Sequence, residues 1–588
     1  MAKRLDKVDV VIVGVGWAGG ILSAELAKTG KKVVALERGE NKERSDYTGV
    51  KDELRFDSRG QMMQKPAQET ITSRNKLDEM ALPVRTIGNI GPSMITGTDL
   101  GGGSVHWSGS VYRYAPYDFE IRSKTVERYG EDKIPKDMTI QDWGITYEEM
   151  EPYYDKWEKM AGISGEQDPM APERKNKWPT PPMKETVPIK MFKDAAKNLG
   201  LHPYQMASAN LSESYENPDG QTLNACMYCS FCSRYGCDFG AKSDALVTVI
   251  PTAMEHDNFE LRTEANVRRI LYDKDSAKAN GVMYVDTRTG EEYEQPADAV
   301  VLSAMAFTNF RLLRMANIGK SYDPKTKKGV IGRNFNGNYL YAHRGVSGFF
   351  KNKKFNLYMG AGGLGGALSD YVADNFDHSD KDFIGGGGIE IRQYGEGAIT
   401  RSSNIPSDTP RWGKEFKKNS LFYAYRKLAV TFTGMVGSYW HNYLDLDPNY
   451  TDSYGDPLVR VTYSLTDQER NVMKYGIDRC HEIMEEMGAD IIEDDPVPDQ
   501  FDHDYFGGHH TGGIPMGDDP EISAVNSYLQ MWDAENVFVV GGSAFPQFGH
   551  HHPTPTIGAL SYRAAEGIEK YLDKGGQLVK AKSIKRTV

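Results

Sequence analysis

The amino-acid sequence predicts an α/β (α+β) protein in which a discontinuous Rossmann-like domain is combined with a domain built on antiparallel sheet. Three observations lead to this class. A strand pattern, a glycine cluster, a helix pattern and a second strand pattern follow one another at the start of the chain. Another buried strand pattern occurs at residues 299–304. Glycine clusters alternate with the run Ile389-Glu390-Ile391-Arg392 over residues 360–397, which favours antiparallel strands around a cavity.

The opening pattern predicts a βαβ unit. Residues 8–13 are almost entirely apolar and β-branched, as in a buried parallel strand. A helix is predicted over residues 20–28 and a second strand over residues 31–37. Between the first strand and the helix lies the fingerprint Gly14-Val15-Gly16-Trp17-Ala18-Gly19. This order and spacing are typical of a dinucleotide-binding site.

Each glycine of the fingerprint has an expected task. Gly14 permits the tight turn, Gly16 lets the backbone approach a pyrophosphate, and Gly19 allows the helix to pack closely against the strand. Glu37, at the end of the second strand, is placed to accept hydrogen bonds from ribose hydroxyls. By itself the fingerprint leaves NAD and FAD open.

Composition limits the classes of partner. The chain has 588 residues and a formal net charge of −12, which argues against a general nucleic-acid binder. A content of 39% hydrophobic and 26% charged residues is typical of soluble globular proteins, and we expect no transmembrane segment. Residues 1–7 lack the features of a secretory signal, so export would need a partner's signal.

Four of the five cysteines fall within twelve residues, namely Cys226, Cys229, Cys232 and Cys237. This clustering predicts a metal site rather than a disulfide framework. The spacing is compatible with an iron–sulfur cluster, with tetrahedral zinc, and with free or disulfide-paired structural cysteines. Cys480 lies in a helix pattern that starts with the capping box Thr466-Asp467-Gln468-Glu469, and we expect it to be a small core residue.

Taken together, the motifs resemble the glucose-methanol-choline (GMC) oxidoreductases over nearly the whole chain. The resemblance is carried by the first fingerprint, by Gly101-Gly102-Gly103-Ser104, by residues 299–319 and by residues 537–546. Within the family, the chain is most similar to the flavoprotein subunits of gluconate 2-dehydrogenase and related sugar and glucoside dehydrogenases, and more distantly to pyranose oxidase. The resemblance implies the GMC fold, bound FAD and oxidation of alcohols or sugars. We also assign Arg38, Gly542 and Thr554 to the cofactor site.

His106 is the candidate for a covalent flavin link. The run Ser104-Val105-His106-Trp107-Ser108 resembles the pyranose oxidase run whose histidine binds the flavin. The alternative is a histidine that packs against the flavin or forms a hydrogen bond in the core.

Two further histidines are predicted to be catalytic. A neutral histidine is suited to take the hydroxyl proton of a carbinol while hydride leaves. The run His509-His510-Thr511-Gly512-Gly513 resembles a family motif and places His509 at the base position. His552, before Pro553, occupies the second catalytic position, where gluconate-dehydrogenase-like members carry Asn. His550 and His551 leave open an incidental metal site or a solvated loop, although adjacent side chains seldom converge on one metal.

The resemblance implies oxidation of a sugar, aldonate or glycoside at C2 or C3, with electrons leaving through a three-iron or four-iron cluster. It also implies a small accessory subunit and a cytochrome or other acceptor. A pyranose-oxidase-like enzyme that reduces oxygen, and a non-catalytic electron-transfer subunit, are the alternatives. Arg392 and Arg426 are candidates for an aldonate carboxylate, although we expect both to be exposed. A periplasmic or membrane-associated location through a partner and a cytoplasmic location both stay open.

The predicted division of the chain is discontinuous. The FAD-binding domain comprises residues 1–110 and 241–335, with a return in residues 506–588, which also carry the catalytic histidines. Residues 111–225 form linker, lid and substrate-domain segments, including a proline-rich stretch at 165–184. Residues 226–240 form the cysteine loop, and residues 336–505 form the substrate-binding domain.

Overall fold

The protein is described by a computed structural model that covers residues 2–43, 45–46, 70–84, 97–233, 235–337, 343–395, 397–501 and 508–582. Parts of the predicted FAD-binding segment 1–110, residues 85–96 among them, lie outside the described residues. The described residues form the mixed α/β architecture that the sequence predicts, with separate parallel and antiparallel sheets.

The largest sheet combines strands from three distant parts of the chain. Its parallel part runs in the order Phe259–Arg262, Val33–Leu36, Val8–Val13, Glu292–Leu302 and Val537–Val539. Glu292–Leu302 also pairs in parallel with Lys3–Arg4, and it leads into the antiparallel strands Lys278–Asp286 and Ala265–Asp273. The central parallel strands Val33–Leu36 and Val537–Val539 and the end of Val8–Val13 are buried, whereas Phe259–Arg262 and Lys3–Arg4 are partly or fully exposed. The sheet therefore joins the N-terminal, central and C-terminal segments.

The first helix extends over Trp17–Ala27, three residues earlier than the sequence predicts. It begins directly after Gly16, so its N-terminus faces the glycine turn. It packs against the C-terminal helix Thr554–Lys574 and against Val249–Met254. A further helix, Ala306–Ala316, follows the strand Glu292–Leu302.

The second large sheet is antiparallel, as predicted. Its order is Ile491–Asp494, His343–Phe349, Lys427–Gly434, Gly387–Arg392, Gly365–Leu368 and Tyr204–Gln205. The helix Asp467–Glu486 lies across it, and Gly476 admits the Phe432 ring, which a Cβ would approach to 2.1 Å. This helix buries Cys480 completely, which confirms Cys480 as a core residue.

The other strands and helices of the described residues surround these two sheets. Tyr443–Thr451, Pro457–Thr462, Thr72–Arg74 and Leu82–Pro83 form one sheet. Two short antiparallel pairs are Tyr215–Glu216 with Thr222–Leu223 and Ser110–Val111 with Ala207–Ser208. The remaining helices are Gly103–His106, Pro116–Phe119, Ile121–Tyr129, Tyr147–Ala161, Val187–Asn198, Ala398–Ser402 and Gly413–Tyr423. None of the helices in the described ranges is long and apolar enough to cross a membrane.

Candidate active site

A cavity of about 440 Å³ lies between the two large sheets and brings most of the predicted site residues together. The predicted residues that line it are Gly14, Gly16, Glu37, Arg38, Gly102, Gly103, Ser104, His106, His509, Gly542, His552 and Thr554. Gly19 and Gly101 lie behind the lining and act through packing. Segments about 540 residues apart in the chain thus meet at one cavity, since Gly14 and Thr554 both line it.

The first glycine run has the geometry that its fingerprint predicts. Gly14 has a φ of +89°, and a Cβ there would lie 2.7 Å from the Cα of Ala304. A Cβ at Gly19 would lie 1.9 Å from the carbonyl oxygen of Gly14, so only glycine lets the helix approach this closely. Trp17 also lines the cavity, and its buried Nε1 has no hydrogen-bond acceptor among the described residues. The turn is a cradle that a large phosphate-containing ligand fits.

Glu37 lies at the cavity, but its carboxylate is already engaged with the backbone of the glycine loop. Its two oxygens accept hydrogen bonds from the N–H groups of Val15 at 2.8 Å and Gly39 at 3.0 Å. Burial raises the pKa of the carboxyl group. Glu37 therefore shapes the loop as well as bordering the space where a ribose would lie.

The second glycine run forms the start of the short helix Gly103–His106. Gly101, with a φ of +86°, packs against the side chains of Val105 and Leu246, and its carbonyl accepts a hydrogen bond of 2.6 Å from the Ser104 hydroxyl. A Cβ at Gly103 would meet no atom within 4 Å, so this position opens onto the cavity. His106 is buried and lines the cavity at the end of the helix.

His509 and His552 lie side by side at one end of the cavity. Their rings are 5.2 Å apart and inclined at 77°. Burial holds the pKa of His509 well below its usual value, and the neighbouring His552, His510 and Arg392 lower it further. Burial also lowers the pKa of His552, with Arg392 adding to the effect and Glu390 opposing it. Both rings are therefore neutral near pH 7 and suited to accept a proton or a hydrogen bond.

The three consecutive histidines point in different directions. Nδ1 of His550 lies 2.6 Å from a carboxylate oxygen of Asp118. The ring of His551 stacks on Tyr112 with a centroid distance of 3.8 Å. Of the three, His552 lines the cavity. The structure thus gives one histidine at the cavity, as the alternation of side-chain directions predicts, and it gives no support to an incidental three-histidine metal site.

A buried charged group beside His552 was not identified from the sequence as part of the site. Glu390 and Arg392 form an ion pair with an N–O distance of 2.5 Å, and Tyr112 donates a hydrogen bond of 2.5 Å to the other oxygen of Glu390. Nη2 of Arg392 also forms a short hydrogen bond with Nε2 of His552. The alternation in residues 387–392, with Ile389 and Ile391 on the opposite strand face, is the signal that could have revealed the pair.

The expectation that Arg392 is exposed is wrong. Its side chain is only 5% exposed and lines the cavity. Glu390 and His552 hold it beneath the histidine loop, residues 550–552. Arg426 is different: its guanidinium donates hydrogen bonds to the carbonyls of Phe422, Lys351 and Lys353 at the protein surface, away from the cavity lining.

The four clustered cysteines are all free, and their loop reaches the cavity at Ser233. Within the described ranges, no three His, Cys, Asp or Glu side chains are arranged to hold a metal ion. The structure therefore gives the predicted ligation by Cys226, Cys229, Cys232 and Cys237 no support. Burial raises the pKa of the Cys226 thiol to about 12, so that thiol is protonated in this arrangement.

Comparisons with known proteins agree with this geometry. Two family models, both described as GMC oxidoreductase, match residues 140–339 and 439–561. The chain is 38% identical to the gluconate 2-dehydrogenase flavoprotein of Pantoea cypripedii over 99% of this chain and 97% of the relative. It is 26% identical to the fructose dehydrogenase large subunit of Gluconobacter japonicus over 98% of this chain and the whole of the relative. A formate oxidase structure from Aspergillus oryzae shares the fold, with a TM-score of 0.60, 14% identity and coverage of 97% and 99% of the two chains.

Proposed function

Because this chain belongs to the GMC oxidoreductase family, we propose that it is an FAD-dependent dehydrogenase that oxidises a secondary carbinol of a sugar, aldonate or glycoside at C2 or C3. Its assignment as an FAD-dependent enzyme acting on CH–OH groups rests on the family match and on the full-length similarity to the gluconate 2-dehydrogenase flavoprotein. The observation that carries the finer proposal is that His509 and His552 share one cavity with the glycine fingerprint.

The residues around the cavity fit FAD. The turn at Gly14 has no room for a side chain, whereas Gly103 borders open space in the cavity. The buried Nε1 of Trp17 can donate a hydrogen bond to the cofactor. We assign the two glycine runs, Arg38, Gly542 and Thr554 to holding the cofactor. When bound, FAD supplies the hydride acceptor. The position of His106 in the cavity wall supports a covalent link between this residue and the flavin. Flavin that stays with acid-precipitated protein, and is released in His106→Asn, would establish that link.

His509 is the proposed base. It is neutral near pH 7, so it can accept the hydroxyl proton of the carbinol as the hydride leaves the same carbon. Nε2 of His552 lies against the Arg392 guanidinium, which can only donate, so this nitrogen acts as an acceptor and the ring is neutral. We propose that His552 orients the carbinol oxygen. The histidine at this position, where the gluconate-type members have Asn, keeps that hydrogen-bonding role.

Electrons are proposed to leave towards a partner protein through the cysteine loop. The position of the loop supports this route, because Ser233 lines the cavity. Of the four free cysteines, Cys226, Cys229 and Cys232 precede Ser233 and Cys237 follows it. The similarity to a protein described as a large subunit supports an accessory subunit and a separate acceptor such as a cytochrome. The iron–sulfur cluster is a prediction from the cysteine spacing. Iron and acid-labile sulfide content, together with a paramagnetic-resonance spectrum, test it directly.

One experiment tests the function. Purified protein is mixed without oxygen with gluconate, glucose or a methyl glycoside, and the absorbance of oxidised flavin is followed. Bleaching by one of these carbinols is expected, and no bleaching by any sugar or sugar acid would overturn the proposed activity. In air, stoichiometric hydrogen peroxide would identify an oxidase of the pyranose-oxidase type instead. Turnover with an artificial one-electron acceptor and little peroxide is the result expected for a dehydrogenase.

A further inference from the structure

Alternate residues of one strand in the antiparallel sheet point towards the histidine loop, residues 550–552. Gly388, Glu390 and Arg392 of the strand Gly387–Arg392 point to this face, since alternate residues of a strand share a side. Gly388 makes room for His551, whose Cε1 would lie 2.1 Å from a Cβ at that position. Glu390 and Arg392 follow beneath His552. The strand thereby sets an arginine beside the catalytic histidines.

Arg392 is the charged group of this face that reaches the cavity. It lines the cavity with His509 and His552, whereas Glu390 lies behind the lining. Glu390 is held there by Tyr112, which donates to one oxygen, and by Arg392 at the other. Although burial opposes ionisation, the Arg392 guanidinium keeps the pKa of Glu390 well below its usual value. The carboxylate is thus retained as an ionised counter-charge on the side away from the substrate.

Arg392 is therefore the positively charged side chain that faces a ligand at this end of the cavity, and Glu390 balances its charge from behind the lining. Among the described lining residues, the other formal charges are Glu37 and Arg38, which follow the strand Val33–Leu36. Nη1 of Arg392 donates a hydrogen bond of 2.6 Å to the Tyr394 hydroxyl, and Tyr394 lines the cavity as well. Glu390 and Tyr394 thus hold the planar guanidinium of Arg392 from two sides. A guanidinium fixed in this way is suited to bind a carboxylate.

We propose that Arg392 is the specificity-determining residue that binds the carboxylate of an aldonate substrate. This inference rests on the proposed function, because it names the substrate class of the same site. Arg392 contacts His552 directly, so a carboxylate on the guanidinium brings the adjacent carbinol to the histidine pair. Within the proposed choice of C2 or C3, this places the oxidised hydroxyl at C2. Neutral sugars lack the group that Arg392 recognises.

The test compares gluconate with glucose in wild-type enzyme and in Arg392→Gln and Arg392→Lys. Loss of a charged hydrogen-bonding pair is expected to raise KM for gluconate about tenfold to hundredfold in Arg392→Gln. KM for the neutral sugar should change much less, and Arg392→Lys should give an intermediate loss for gluconate. Arg426→Gln is the matched control at the surface and should leave KM for both substrates unchanged. Flavin content and Tm verify folding of each variant.

Equal losses of kcat/KM for gluconate and glucose in Arg392→Gln would overturn the proposal. If Arg392→Gln does not fold, inhibition of gluconate oxidation is measured on the wild-type enzyme instead. Propionate should compete with gluconate, whereas propionamide, which has no carboxylate, should not. Absence of competition by propionate, or equal competition by the amide, contradicts a carboxylate site. Failure of the proposed function is a distinct result, because the flavin would then be bleached by neither gluconate nor glucose.

Discussion

Tyr112 donates a hydrogen bond of 2.5 Å to Glu390, although the two residues are 278 positions apart in the chain. Both side chains are buried next to His552, one of the two histidines proposed to be catalytic. The ring of Tyr112 also stacks on His551 at 3.8 Å, so one side chain holds the carboxylate and supports the histidine loop. The ionised Glu390 in turn balances the Arg392 charge, which makes the tyrosine hydroxyl part of the support for the site.

Replacement of Tyr112 by Phe is expected to lower the free energy of unfolding by about 1–3 kcal/mol, because a buried carboxylate loses a hydrogen-bond donor. Chemical denaturation measures the loss. Tyr114→Phe is the matched control two residues away: it removes a buried hydroxyl that donates to no carboxylate among the described residues, so a smaller loss is expected. Equal losses in the two variants would mean that the bond to Glu390 contributes nothing specific.

Replacement of His509 by Asn is expected to lower kcat/KM for the oxidised carbinol by about 10²–10⁴-fold, since the proposed proton acceptor is removed. Bound flavin and Tm should be unchanged within error, because His509 is not assigned to cofactor binding. His481→Gln serves as the control, since this histidine pairs with Asp494 at 2.7 Å on the surface. A His509→Asn enzyme with more than a tenth of wild-type activity would exclude His509 as the base.

The pH dependence follows from the lowered pKa of His509. A base must be unprotonated, and burial holds this pKa well below 6.5, so activity is lost only as the pH falls through the lowered value. We expect kcat/KM to stay level from pH 8 to below pH 6.5. Steady-state rates across that range, with activity regained at pH 7.5 after each exposure, measure the profile. An acid limb centred at or above pH 6.5 would contradict a base with a lowered pKa.

Lys242 connects the cysteine loop to Trp107, which follows the second glycine run and its short helix. Its buried Nζ donates hydrogen bonds to the carbonyls of Trp107 at 2.8 Å, Cys232 at 2.9 Å and Tyr235 at 2.8 Å. Lys242→Met keeps the length of the side chain and loses these bonds, so we expect at least about 2 kcal/mol of destabilisation. Residues 226–240 should also become sensitive to proteolysis. Lys190→Met, at an exposed pair with Asp194, should leave stability unchanged within error. A Lys242→Met protein with wild-type stability would show that the bonds are dispensable.

The sequence predicts the parts of the fold that depend on local pattern. The fingerprint, its strands and the helix that follows were recognisable because their glycines and β-branched residues act on neighbours in the chain. The predicted helix starts three residues late because the fingerprint pattern does not distinguish loop from helix at Trp17-Ala18-Gly19, and in the structure these residues form the first helical turn. His509 and His552 were identified from motifs, and the structure places both at one cavity.

The charged support of the site could not be predicted in the same way. Tyr112, Glu390 and His552 come from three separate segments, and only the packing of the antiparallel sheet on the histidine loop brings them together. Burial of Arg392 was also missed, since a single arginine in a sequence is usually exposed. Its ion pair with Glu390, two positions earlier on one strand face, is what allows the burial.

We expect the stability of the protein in acid to depend on His378, which is fully buried away from the cavity lining. Burial lowers its pKa to about 4, and Nε2 accepts a hydrogen bond from the Gly385 N–H at 3.4 Å. The unfolded chain binds a proton near pH 6.5, whereas the folded protein does so only near pH 4. This contribution to stability is therefore complete above pH 6.5 and is lost as the pH falls towards 4, by at most about 1.4 kcal/mol per pH unit.

His378→Gln removes the titrating group and keeps an acceptor for Gly385. We expect a shallower fall in Tm between pH 6.5 and 4 than in the wild-type protein, measured by thermal unfolding at several pH values. His481→Gln is the contrasting variant, because a hydrogen bond to Asp494 raises the pKa of His481. A raised pKa stabilises the fold at low pH and loses that effect as the pH rises, so this variant should not flatten the acid slope. An unchanged slope in His378→Gln would mean that other groups govern acid unfolding.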